Sequence, residues 1–130
     1  MNFRTRAALA ATALLAQPAA AQTWREVSSN ADATIYVDVD SIQRTGDRVL
    51  YRTRTRYGTP FEAEGDLMDV VSELNEGDCR EMSGRALENA TSLGDKVVVP
   101  PGPVEQTTRH FAVGTVGHKM LNRVCTWSAP

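Results

Sequence analysis

Between residues 48 and 57 the chain reads RVLYRTRTRY, and polar and apolar positions alternate. On an extended backbone Arg52, Arg54 and Arg56 fall on one side, and Tyr51, Thr53, Thr55 and Tyr57 on the other. The same period of two governs most of the chain from residue 23 to about 87. Residues 34–39 (TIYVDV) put Ile35, Val37 and Val39 on one face, and the strand is expected to end at the DVDS turn of residues 38–41. Arg44-Thr45-Gly46-Asp47 is the next turn. Residues 48–57 are expected to form the longest strand, broken by Gly58-Thr59-Pro60 because proline donates nothing to the ladder. Residues 66–74 (DLMDVVSEL) resume the alternation, and residues 81–87 form a weaker strand around Gly84.

Downstream the pattern changes. Residues 90–104 contain Pro100, Pro101 and Pro103 and are expected to be a loop with an extended tail, holding a short strand at Val97-Val98-Val99. A further strand is expected over residues 109–113. Between residues 115 and 125 the period becomes helical: Val116, Met120, Leu121 and Val124 share one face. Thr115 is the expected N-cap, and Lys119 and Arg123 are expected to favour the C-terminal end. The fold class that follows is α+β, a meandering antiparallel sheet with one C-terminal helix across it.

The first residues change the picture of compartment. Arg4 and Arg6 precede an apolar run over residues 7–16, followed by Ala19-Ala20-Ala21, the order of a secretory leader. That run is well short of the roughly 20 residues that a spanning helix needs. Cleavage after Ala21 is expected to leave a single domain of residues 22–130, periplasmic or secreted. No cysteine lies near the cleavage point, so no lipid anchor is expected. Loss of Arg4 and Arg6 takes the formal charge from −2 to −4, which argues against a nucleic-acid partner. Export to an oxidising compartment predicts a disulfide between the two cysteines, Cys79 and Cys125.

The order of these features resembles the surface-adhesin E-like family of Gram-negative bacteria. The resemblance rests on a tryptophan-bearing first strand, TIYVDVDSIQRTGDRV, GDCRE, KVVVPPGPVEQ and GTVGHKMLNRVC. It covers residues 23–125 and implies a six-stranded antiparallel sheet with a C-terminal helix and a tie between the cysteines. It also implies a tendency to form homodimers and adhesion to host extracellular proteins.

Candidate chemistry is sparse. His110 and His118 lack metal-ligand spacing, and Asp38 and Asp40 lack the glycine and glutamate that a calcium loop requires. They are expected to cap a turn. No nucleophile elbow, P-loop or GxGxxG occurs, so neither an enzyme nor a cofactor is expected. Trp24 and Trp127 are expected as core or sheet-edge anchors. The arginine face is expected to be solvated, with the acids of the next strand opposite it: Arg56 facing Asp69 and Arg52 facing Glu73, or Arg54 facing Asp69. Arg52, Arg54 and Arg56 are nonetheless the best ligand-binding candidates the chain offers. The expected function is an exported, non-enzymatic, adhesin-like binding module. The alternatives are a structural envelope protein that dimerises through its sheet and a small secreted inhibitor of a lysozyme-type hydrolase.

Overall fold

The computed structural model describes residues 22–128. The leader expected over residues 1–21 therefore lies outside the described residues. Six strands run in sequence order as an antiparallel meander: β1 (Trp24–Ser29), β2 (Ala33–Thr45), β3 (Arg48–Ala63), β4 (Asp66–Asp78), β5 (Ser83–Leu93) and β6 (Lys96–Pro103). A two-residue strand, β7 (Arg109–His110), pairs with β5, and α1 (Val116–Trp127) follows. The α+β class and the C-terminal helix are as the hydrophobic pattern predicts. Among the described residues no helix is long and apolar enough to cross a membrane.

The strands are longer than the pattern predicts, because irregularities absorb the residues expected to stop them. β2 passes through DVDS with a register shift between Asp38 and Gln43. Side chains hold that stretch together: Asp38 Oδ1 accepts from the Asp40 amide at 3.1 Å, and the Ser41 hydroxyl donates to the Asp38 carbonyl at 2.6 Å. The Arg52 amide in turn donates to Ser41 Oγ at 2.9 Å. β3 likewise runs through Gly58 to Pro60, with its shift between Arg56 and Phe61. The expected loop over residues 90–104 is instead the end of β5 and all of β6. The prolines are tolerated because β6 is the edge of the meander. The strand expected over residues 109–113 shrinks to β7.

The largest correction concerns register. Arg52 pairs with Leu74, Arg54 with Ser72 and Arg56 with Val70, not with acids. At the hairpin end Ala63 pairs with Asp66 across Glu64 and Gly65, both at positive φ, as the turn favoured for two-residue hairpins requires. Between the hairpin and the arginines, the run from Phe61 back to Arg56 on β3 faces only Met68 to Val70 on β4. That surplus on β3 is odd, and an odd slip exchanges the two faces. Val70 and Ser72 thus share the arginine face, while Val71 and Glu73 share the tyrosine face.

The helix covers the tyrosine face. Val27, Val37, Val49 and Tyr51 from the sheet bury against Leu121 and Val124, and Met120 and Phe111 pack at the margin. Gly77 lets Leu121 approach: a Cβ there would stand 2.5 Å from Leu121 Cδ1. Thr115 caps the helix, accepting from the His118 amide at 3.2 Å. Val116 is exposed rather than on the buried face. The helix also runs on to Trp127, so the last turn carries no basic residue. Arg44 of β2 takes that role from outside, donating to the Cys125 carbonyl at 3.0 Å. The Cys79–Cys125 disulfide joins the β4–β5 turn to the last helical turn, with 5.8 Å between Cα atoms.

Candidate functional site

The face of the sheet away from the helix carries the arginines, and the register determines their company. Trp24, Asp38, Arg52, Leu74 and Glu88 form one row across the strands; Glu26, Tyr36, Arg54, Ser72 and Ala90 form the next. Together they shape an open cleft of about 280 Å³. Trp24, Arg52 and Arg54 stand on one side, Glu88, Val97 and Pro101 on the other, and Ser72, Leu74 and Ala90 lie between them.

Arg54 is the most constrained of the three arginines. Its guanidinium carbon lies 4.4 Å from the centre of the Trp24 ring and 5.7 Å from that of Tyr36. Each such contact contributes on the order of 0.5–1 kcal/mol at an exposed site and more where water is excluded. Its Nε is closed off from solvent and has no acceptor. Burial lowers the affinity of this guanidinium for its proton, Arg56 beside it adds to that, and Tyr36 opposes it. Arg52 and Arg56 are exposed.

The expected acidic partners are elsewhere. Among the described residues ion pairs form only at Glu76, which takes Arg48 at 2.8 Å and Arg85 at 3.2 Å. Arg48, the first cation of the opening stretch, is therefore neutralised, while Arg52, Arg54 and Arg56 have no carboxylate of the described residues within ion-pair distance. The positive potential of this face is less diluted than the expected pairing would make it. Trp24, expected as a core or sheet-edge anchor, lies on the edge strand β1 and also walls the cleft beside Arg54. The sequence carries no signal for that contact, since it depends on β1 and β3 flanking the same middle strand.

Asp38 and Asp40 lie within β2 rather than in a turn, and both accept from Thr23, the residue before β1. Asp38 accepts from the Thr23 amide at 3.0 Å, and Asp40 accepts from the Thr23 hydroxyl at 2.5 Å. His110 lies on β7 and His118 on α1. Among the described residues no group of His, Cys, Asp and Glu could hold a metal.

Glu73 forms a second polar group, on the helix face. It is half-buried beside Tyr51, Asn75 and Arg109. Burial pushes its carboxyl above the ordinary carboxylate range, with Arg109 opposing. Burial and then Glu73 push the Tyr51 hydroxyl up as well. Asn75 Nδ2 donates to Thr53 Oγ1 at 3.1 Å on the same face.

Known proteins place this arrangement. A crystal structure of protein E from non-typeable Haemophilus influenzae is similar, with a TM-score of 0.59 at 12% identity, over 84% of this chain and 80% of that one. That likeness speaks for the fold. Among curated proteins none matches the chain. Residues 24–126 match the family described as surface-adhesin protein E, a span that takes in every strand and all but the last residue of the helix, and the chain belongs to that family.

Proposed function

We propose that this protein is an exported, non-enzymatic adhesin-like module of the bacterial envelope that binds an acidic protein partner through Arg52, Arg54 and Arg56. The reading places the mature protein after a leader of residues 1–21, in the periplasm or beyond it, with a host extracellular protein as the partner class. The observation that carries it is the absence of carboxylate partners for three arginines on the uncovered sheet face, among the described residues. A solvated face of a mildly acidic domain ordinarily intersperses both signs of charge. Here the cations lie together on β3, the acids Glu26, Asp38 and Glu88 of the same face lie on other strands without forming an ion pair with them, and Arg54 lies against an aromatic ring. Family membership supports adhesion as the use of such a face.

The test is binding of immobilised host matrix proteins by wild-type protein and by the Arg52→Gln/Arg54→Gln/Arg56→Gln variant over a salt series. Exposed charges steer association and are screened by salt. The expected result is binding that weakens with salt in the wild type and is lost in a folded triple variant. Equal binding by the two proteins would remove the arginine face from the proposal.

A further inference from the structure

The cleft is uneven, and its unevenness selects a ligand. Arg54 lines it with a planar fork of N–H donors, its guanidinium carbon 4.4 Å from the centre of the Trp24 ring. A half-buried guanidinium short of acceptors is poorly solvated, and a carboxylate that accepts two parallel N–H bonds matches its geometry. Asp38 pairs directly with Arg52 on one side, and Glu88 stands two strands away on the other, through Leu74, which is about 10 Å at the usual strand spacing. A negative charge at that distance repels a ligand that is anionic along its whole length. The volume argues the same way. About 280 Å³ lies just below the roughly 300–1,000 Å³ of sites that enclose a drug-sized molecule, so the cleft takes a side chain or two.

We infer that this cleft is an anchor pocket for a single aspartate or glutamate side chain projecting from a protein partner. Its carboxylate sits on Arg54, and its methylenes lie against Trp24 and Leu74. The inference rests on the reading of the arginine face as the binding surface and names the group which that face recognises. It also assigns the three arginines unequal parts: Arg54 receives the anion, Arg52 raises the local potential, and Arg56, outside the cleft lining, contributes only at long range.

The Nε–H of Arg54 is a direct reporter, because its enclosure slows exchange with water and keeps its resonance observable. The experiment titrates nitrogen-15-labelled protein with three probes: capped Ala-Glu-Ala, capped Ala-Gln-Ala and a sulfated heparin tetrasaccharide. Arg54→Gln identifies the resonance by its loss. Ala90→Leu fills the floor of the cleft without touching a charge. The expected result is a saturable shift of the Arg54 Nε–H with the glutamate peptide, at least tenfold weaker with the glutamine peptide, and abolished by Ala90→Leu in a folded protein. Equal response to the two peptides, no saturable response at millimolar glutamate peptide, or tighter binding of the tetrasaccharide would overturn it. If the peptide fails while the triple arginine variant still loses its salt-sensitive partner, this pocket falls and the binding face stands. If both fail, the face falls too.

Discussion

Leu121 seats its Cδ1 atom on the bare backbone of Gly77. A Cβ on Gly77 would meet that atom at 2.5 Å and Val49 Cγ1 at 3.3 Å, and Leu121 is fully buried with nowhere to retreat. Gly77→Ala should therefore destabilise the protein by about 1–3 kcal/mol, the usual range for overpacking, despite the gain from removing a flexible residue. Leu121→Ala should destabilise by about 2–5 kcal/mol through the cavity it leaves. In the double variant the new methyl enters the space vacated by the leucine, so the two effects should fall short of additive. Urea unfolding of the four proteins measures the coupling; strict additivity would show that the helix does not rest on Gly77.

The disulfide makes a second, independent connection between the same two layers. Its closed loop spans 46 residues, and constraining that loop in the unfolded chain stabilises the fold by about 4 kcal/mol in the chain-entropy picture. Replacing Cys79 and Cys125 together by serine should lower the unfolding free energy by roughly that amount. Titration of the native protein should find no free thiol. Two reactive thiols would refute the bond.

The two faces of β3 should respond in opposite ways to substitution. Exposed charges contribute under about 1 kcal/mol each, so changing Arg52, Arg54 and Arg56 to glutamine should leave a folded protein. Arg54 should account for most of any loss, because it alone gives up an aromatic contact. Tyr51→Asp should collapse the domain, since a buried carboxylate without a partner costs several kcal/mol and Tyr51 is 1% exposed. Circular dichroism and thermal unfolding of the two variants decide the matter; a broken triple variant with a tolerated Tyr51→Asp would mean the strand is inverted.

That inside–outside assignment was legible in the sequence because it depends only on alternation within one strand. So was the helix, from its change of period at Thr115, and so was the cysteine tie, from the expectation of an oxidising compartment. What alternation does not carry is the relation between strands. Arg56 was expected to face Asp69 and faces Val70, because the bulge between Arg56 and Phe61 inserts an odd number of residues on one strand only. Glycine and proline at positions 58 and 60 mark an interruption in the chain, but they do not say whether it ends a strand or bends it. The site suffers for the same reason. The arginines were identifiable as a stripe, but the Trp24 stacking, Glu88 across the cleft and the missing ion pairs all follow from register. Glu73 shows the consequence most sharply: expected on the wet arginine face, it is half-buried beneath the helix face.

The burial of Glu73 predicts a pH dependence with a definite sign. Its folded-state carboxyl holds its proton above the ordinary value of 4.5, chiefly because burial disfavours the charge, with Arg109 offsetting part of this. Below pH 4.5 both folded and unfolded chains carry the proton, and the residue is neutral in its effect. As pH rises past 4.5 the unfolded chain releases its proton first, so the folded state binds more protons and loses stability. The loss grows until the folded-state carboxyl itself ionises and is then constant. Asp78 works the other way: backbone amides of Glu81 and Arg80, each donating at 2.9 Å, hold its carboxyl below 3.8, so its contribution is present above 3.8 and lost as pH falls through its lower folded value. The two windows lie on opposite sides of pH 4 or so, and substitution separates them. Glu73→Gln should raise stability near neutral pH and have little effect at the acid end, while Asp78→Asn should lower stability near neutral pH and lose its effect at the acid end. Denaturant unfolding over a pH series measures both differences. A Glu73→Gln variant less stable than wild type near neutral pH would mean that Arg109 outweighs burial and that Glu73 anchors β7 as an ion pair.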